Sequence, residues 1–271
     1  MSNERGVWAY AITQHSAETD VSWPAGVAGA QVRTATAAGL TVLVSDVDLA
    51  EFGEAALRRN MEDLDWLEGV ARAHHAVIDA ASAMFPVLPT RLATVYSSDE
   101  TMAAVLDGRR QELLAALRRV GGRVEWGVKA YAVPESEQPE AGRRESARAE
   151  GGAPADAGGR GAGGAGLAYL KRRKEQLSAR AESQRSAAAG AQAVHGQLSR
   201  HAVEARLHPP QSPRLSGDKR PMMLNAAYLV DADDDTEFAA EVAAIADAHP
   251  ELDLNLTGPW PPYSFTGEDG E

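Results

Sequence analysis

The stretch R-V-E-W-G-V-K-A-Y-A-V, Arg123 to Val133, carries the clearest β-strand pattern in the chain. One face of it would present Val124, Trp126, Val128 and Ala130. A strand with one buried face requires this period of two. Gly121 and Gly122 precede it, and glycine commonly follows the last turn of a helix. The stretch therefore predicts a half-buried strand that begins directly after a helix.

The sequence before this strand predicts three strands, two helices and an extended segment. The strands are expected at residues 7–13, 31–35 and 37–47. Apolar residues spaced by three and four predict one long amphipathic helix over residues 54–83. Two prolines within residues 85–96 favour an extended segment that either lies at a sheet edge or begins a strand. Ser97 and Glu100 form a capping signature for a helix that ends near Val120.

The sequence after this strand predicts a loop, a long helix and a β-α-β unit. Residues 134–165 contain almost no large apolar side chain, so we expect a disordered loop. Deleting residues 138–160 should then leave the melting temperature within a few degrees. The later helices and strands are expected at residues 166–207, 222–230, 234–248 and 252–257.

This order of elements predicts an α+β fold of two domains, in which helices cover one face of each sheet. The first domain is expected over residues 1–120 and the second over residues 121–271, with the loop at 134–165 inside the second. The second part resembles a ferredoxin-like split βαβ arrangement with one strand missing or altered.

The segment L-T-G-P-W-P-P-Y-S-F, Leu256 to Phe265, combines three prolines with three aromatic residues. Proline fixes φ and lacks a backbone donor, so the prolines should exclude helix and strand pairing and hold residues 258–271 extended. Two interpretations stay open. The rings of Trp260, Tyr263 and Phe265 either pack on the protein's own domains or form a surface that binds a partner.

Composition limits the class of protein. The net charge of −12 argues against a nucleic-acid-binding face. Cysteine is absent, which excludes disulfide and thiolate chemistry and favours a cytoplasmic location. No apolar run approaches the roughly 18 residues of a membrane span, and we expect no secretory signal.

Two motifs that could indicate a small-molecule or metal site have simpler explanations. G-A-G-G-A-G at residues 161–166 matches a dinucleotide-binding pattern, but no strand precedes it, so we interpret it as a linker. His74 and His75 are adjacent and would point about 100° apart on a helix, which does not suit a pair of metal ligands. We expect His74 to be semi-buried and hydrogen-bonded.

An enzyme hypothesis rests on Asp231, Asp233 and Asp235, which could hold a divalent cation. They lie between a predicted strand and a predicted helix, where acidic residues favour the helix N-terminus. No motif pairs a nucleophile with a base. We therefore expect no catalytic residue, no cofactor and no metal.

The predicted helix that follows the loop carries two further patterns. K-R-R-K at residues 171–174 should be solvated surface, although an acidic partner surface stays open. Leu170, Leu177 and Leu198 fit a seven-residue spacing. Gln184 and Ala191 at the intervening positions weaken a coiled-coil interpretation.

Several segments, in order along the chain, resemble the gas vesicle synthesis protein family GvpL/GvpF. They are V-L-P-T-R-L-A-T-V-Y at 87–96, G-G-R-V-E-W-G-V-K at 121–129, G-x-A-Y-L-x-R-R at 166–173, L-N-A-A-Y-L-V at 224–230, and the segment at 256–265. The chain departs from the family at Leu92 and Ala93, where an aromatic residue and a glycine usually stand.

The resemblance implies a non-enzymatic accessory protein of gas vesicle assembly, acting in the cytoplasm or on the vesicle. It would bind the hydrophobic shell subunit or other accessory proteins, or form a minor structural part of the shell. Two α/β domains are implied, one of them a modified ferredoxin fold. Candidate partner-binding residues are Arg91, Trp126, Pro259, Trp260, Pro261, Pro262, Tyr263 and Phe265.

Overall fold

The computed structural model describes residues 4–15, 21–134, 162–213 and 217–267. Contacts divide the chain into two compact units. The first comprises Met1–Trp126, Leu229–Ala232 and Gly258–Glu271, and the second comprises Gly127–Tyr228 and Asp233–Thr257. The predicted domain boundary at residue 120 stays a prediction. The deletion of residues 138–160 and nearly all of the predicted loop lie outside the described residues.

The first sheet contains β1 (Arg5–Thr13), β2 (Arg33–Ala37), β3 (Leu40–Asp48), β4 (Leu88–Pro89) and β5 (Val95–Tyr96). Its order is β2-β3-β1-β4, and β5 also pairs with β1. The pairs are antiparallel, with Arg5 opposite Asp48 and Thr13 opposite Thr41. β1 pairs with β3 along one edge and with β4 and β5 along the other, and every residue of β1 after Arg5 is buried.

The helices of the first unit are α1 (Leu49–Phe52), α2 (Glu54–Asn60), α3 (Leu64–Ser82), α4 (Asp99–Gly108) and α5 (Arg110–Val120). The prediction of one helix over residues 54–83 is wrong, because Asp63 is extended and its carboxylate caps α3 by accepting from the backbone N–H groups of Asp65 and Trp66. The predicted second helix also breaks, at Arg109, and its cap is Ser98, not Ser97.

His74 lies in the core of the first unit, where it is 3% exposed. Its Nδ1 accepts from Trp8 Nε1 at 3.0 Å, so the proton sits on Nε2, which faces Thr90 O at 3.2 Å. Burial lowers the pKa of His74 to about 4. The prediction of a hydrogen-bonded histidine is confirmed, with deeper burial than expected.

The second sheet contains β6 (Arg123–Ala132), β7 (Glu204–Leu207), β8 (Met222–Asp231) and β9 (Leu252–Trp260), in the order β7-β8-β6-β9. Helix α6 (Ala162–Leu198) follows β6, and helix α7 (Asp235–Ala248) follows β8. The prediction of a helix as far as residue 207 is wrong. The apolar stripe of α6 stops at Leu198, and β7 pairs with β8 instead.

No helix in the described part of the chain is both long enough and apolar enough to cross a bilayer.

Candidate partner-binding site

The C-terminal tail, residues 258–267, begins at Gly258 inside β9; we call this position the exit, because the chain leaves the second sheet two residues later, after Trp260. This glycine has φ +126°, and a Cβ on it would lie 2.8 Å from Glu125 O and 3.0 Å from Trp126 Cε3. Both the backbone conformation and the close approach therefore require glycine. Trp126, buried in β6, lies directly against this exit.

The prediction that the tail prolines exclude strand pairing and helix is wrong in two places. β9 continues through Pro259 to Trp260, on the edge of the sheet, where an absent N–H costs no ladder hydrogen bond. Tyr263–Phe265 then form one 3₁₀ turn, for which Pro262 is the N-cap residue. The tail is thus extended only as far as the turn.

Polar contacts fix the end of the tail. Ser264 donates from its backbone N and from its Oγ to the two carboxylate oxygens of Glu125, both at 2.7 Å. Arg119 Nη2 on α5 donates to Phe265 O at 2.8 Å. The Phe265 ring is fully buried. The tail end is therefore part of the folded first unit.

The middle of the tail packs on α3 through His75. Tyr263 Oη and His75 Nδ1 are 2.8 Å apart, and the ring of Trp260 meets His75 edge-on with centroids 5.4 Å apart. Burial raises the pKa of Tyr263, and the nearby carboxylates of Asp79 and Glu125 raise it further. Tyr263 thus stays a neutral hydroxyl that can share a hydrogen bond with His75.

Beside the tail lies a groove of about 410 Å³, which we call the tail groove. Its apolar walls come from the end of α3, the segment after it, the junction of α5 with β6, and the tail; the large apolar residues are Met84, Phe85, Pro86, Val87, Val120, Val124, Pro259, Trp260, Pro261 and Pro262. Two side chains of the groove lining are open to solvent: Met84 is 54% exposed and Trp260 is 43% exposed.

The charges that line the tail groove are few. Asp79 and Arg123 are the charged residues of the lining. Arg123 donates to Asp231 Oδ1 at 2.9 Å and also bonds the carbonyl of Arg119. A ligand that matches this lining is therefore apolar over most of its contact surface.

The structure places seven of the eight sequence-based candidates at the tail or its exit and one elsewhere. Pro259, Trp260, Pro261 and Pro262 line the groove, Tyr263 and Phe265 pack behind it, and Trp126 lies at the exit. Arg91 is an exposed residue of the turn between β4 and β5, and its carbonyl accepts from Thr94. Whether any of them binds a partner stays a prediction.

Sequence reasoning missed Met84, His75, Arg119, Glu125 and Ser264. Glu125 sits on the polar face of an alternating strand, so its pattern predicts solvent exposure, yet it is 8% exposed. Met84 lies between a helix end and a proline, where no periodicity marks a groove wall. Only the approach of the tail reveals their roles.

The remaining motifs take structural positions. All four residues 171–174 are exposed, which confirms the expectation of solvated surface. α6 begins at Ala162, so the described part of the glycine motif is helical rather than a turn after a strand. Asp231 pairs with Arg123, and within the described residues no three His, Asp or Glu side chains could hold a metal ion.

Solved structures share this class of fold, a mixed helix-and-sheet chain with two sheets. The crystal structure of gas vesicle protein GvpF from Anabaena sp. PCC7120 aligns with a TM-score of 0.65 at 19% identity, over 98% of this chain and 99% of that one. GvpF from Microcystis aeruginosa aligns with a TM-score of 0.61 at 18% identity, over 96% and 98%.

The sequence profile described as "Gas vesicle synthesis protein GvpL/GvpF" matches residues 6–267. Gas vesicle protein L of Streptomyces sp. (strain CB03234) is 37% identical over 98% of this chain and 95% of its own length. Gas vesicle protein F of the same strain is 30% identical over 86% and 87%. The chain belongs to the GvpL/GvpF family, which confirms the resemblance drawn from its motifs.

Proposed function

We propose that this protein is a non-enzymatic accessory factor of gas vesicle assembly that binds an apolar segment of the shell subunit in the tail groove. Family membership supports the gas vesicle context. The observation that carries the binding proposal is the exposure of Met84 and Trp260 on an apolar groove of about 410 Å³. Exposed apolar surfaces with a polar rim are typical of interaction sites.

The composition of the groove suits a hydrophobic partner. Tryptophan carries a large share of the energy at many interfaces, and the flexible methionine side chain adapts to irregular apolar shapes. Pro261 and Pro262 hold the wall next to Trp260, while Glu125 and Arg119 fix the tail beyond it. A preformed wall loses little entropy on binding.

The net charge of the chain supports the same role. A complex with a very apolar subunit needs a strongly charged carrier to stay in solution, and the chain carries −12. Other gas vesicle accessory proteins are further proposed partners, in the cytoplasm or on the vesicle.

The test is a co-expression pull-down with the shell subunit and with each accessory protein. Met84→Glu puts a charge on the groove wall and should lower capture of the shell subunit at least tenfold. Leu64→Glu is the matched control, since Leu64 is 76% exposed in the same unit and does not line the groove. The proposal fails if the intact chain captures no gas vesicle protein, or if both variants bind equally.

The alternative is that the chain is a minor structural component of the shell. It is favoured by the same groove, because a factor that holds shell subunits through an apolar contact could remain with them. Purified vesicles washed with strong denaturant and then probed for this chain distinguish the two: a structural component stays and an assembly factor is removed.

Two finer parts of the proposal rest on separate support. The non-enzymatic role is supported by the sequence, which contains no nucleophile–base motif; titration with magnesium and manganese should give flat calorimetric traces. The modified ferredoxin-like fold is supported by the β-α-β-β-α-β order from β6 to β9, in which β7 supplies the strand that the sequence pattern lacked.

A further inference from the structure

Helix α6 has two halves with different surroundings. Its C-terminal half packs in the second unit, where Ala187, Ala191, Val194 and Leu198 are buried. From residue 170 to residue 186 every side chain is exposed, apart from the half-buried Ser183. A helical half with this exposure gains little from the core of its own unit, and tertiary contacts supply most helical stability in proteins.

One side of α6 carries the same row of residues through both its packed half and its exposed half. Leu170, Leu177, Gln184, Ala191 and Leu198 are spaced by seven residues, about two helical turns, so they share one side of α6. Leu198 is 0% and Ala191 3% exposed, whereas Leu177 is 59% and Leu170 63% exposed. The stripe thus extends beyond the side chains that cover it and leaves two leucines in solvent.

Positive charge surrounds these two leucines. Residues 170–186 contain six basic and two acidic side chains, a net charge of +4 in a chain whose total is −12. The partner for this surface should therefore combine acidic groups with room for leucine side chains.

The second unit itself carries such a surface on α7. Phe238, Val242 and Ile245 face its core, while Glu237, Ala240, Ala244 and Asp247 form an exposed stripe. Residues 233–241, which all belong to the second unit, contain five acidic side chains and no basic one. The two alanines allow a helix to approach closely, and the acidic residues flank them.

We propose that the exposed half of α6 docks on this stripe of α7 in a second copy of the chain. Leu170 and Leu177 lie about 10 Å apart along their helix, and Glu237 and Asp247 about 15 Å along theirs, so both leucines fit between the two acids. If the exposed halves of α6 from two copies packed on each other instead, two surfaces with a net charge of +4 would face and repel each other. A two-fold axis would produce two reciprocal α6–α7 contacts.

Sedimentation velocity on the full chain tests the association. We expect a concentration-dependent dimer that weakens at least tenfold between about 50 mM and about 500 mM NaCl, because salt screens exposed charges. Leu170→Ala with Leu177→Ala should weaken the dimer at least tenfold. Leu64→Ala, which truncates a still more exposed leucine outside the second unit, should not weaken it.

Charge reversal in trans gives the decisive result. One variant carries Lys171→Glu, Arg173→Glu and Lys174→Glu, and the other carries Glu237→Lys and Asp247→Lys. Each alone should be monomeric with an unchanged circular dichroism spectrum, because all five side chains are exposed. Their mixture should form a dimer again, since each reversed helix then faces an opposite charge.

The proposal is overturned if the intact chain is monomeric at every concentration and salt, if a dimer survives both reversals, or if mixing the variants restores nothing. A surface that binds a different acidic protein or a nucleic acid gives the first of these outcomes.

Discussion

Phe265 and Trp260, two aromatic residues of the tail, should contribute very different amounts to the free energy of unfolding. Phe265 is fully buried, so Phe265→Ala leaves a cavity and should cost about 3–5 kcal/mol of unfolding free energy. Trp260 is 43% exposed and keeps mainly its edge contact with His75, so Trp260→Ala should cost about 1–2 kcal/mol. A domain is stable by only about 5–15 kcal/mol, so the first loss is severe.

Urea unfolding, followed by circular dichroism, measures both changes. Thermal unfolding gives a second measure. Because about 1 kcal/mol of unfolding free energy corresponds to about 2–4 °C, Phe265→Ala should lower the melting temperature by about 10 °C and Trp260→Ala by only a few degrees. In the pull-down, soluble Trp260→Ala should lose the shell subunit. The reasoning is refuted if Phe265→Ala costs less than about 1 kcal/mol, or if the two variants lose equal stability.

Three further predictions concern the first unit. Ala93 has φ +64°, a left-handed conformation that suits glycine, so Ala93→Gly should raise the unfolding free energy by about 0.5–1 kcal/mol in a urea titration, and a decrease would contradict the assigned turn. Asp63→Ala removes the cap of α3 and should cost about 1 kcal/mol, whereas Asp65→Ala, two residues further on in the first turn, should cost less. The pKa of His74 is lowered from 6.5 to about 4, so protonation favours the unfolded chain. Neutral His74 should therefore contribute about 3 kcal/mol to the free energy of unfolding above about pH 6.5, and this contribution should be lost as the pH falls through 4. His74→Gln should flatten the plot of unfolding free energy against pH over this range. An unchanged slope would refute the assignment.

The sequence predicted elements whose period is set by a buried face. β6, β8 and α7 lie within two residues of their expected ends, because alternation or a three-four spacing repeats over many residues. The break at Asp63 was missed because the apolar spacing continues across it, and only the side-chain cap shows that the backbone leaves the helix. β7 was missed for a different reason. Its four residues, E-A-R-L, alternate polar and apolar side chains, but the run is too short to distinguish a strand from the end of the preceding helix, and it becomes a strand by pairing with β8.

The tail shows why the candidate site was harder to predict than the fold. Proline restricts its own φ, but Pro262 at φ −76° is compatible with a helical turn that starts after it. The turn at Tyr263–Phe265 carries Phe265 into the core, and Trp260, which lies before the turn, stays at the surface. From the sequence, Trp260, Tyr263 and Phe265 were assigned together, either all to the core or all to an interface. The backbone divides them, because hydrogen bonds from Arg119 and to Glu125 hold only the end of the tail. The groove wall can therefore be altered at Trp260 and Met84 while the anchor at Phe265 stays intact, which allows binding and stability to be measured separately in this family member.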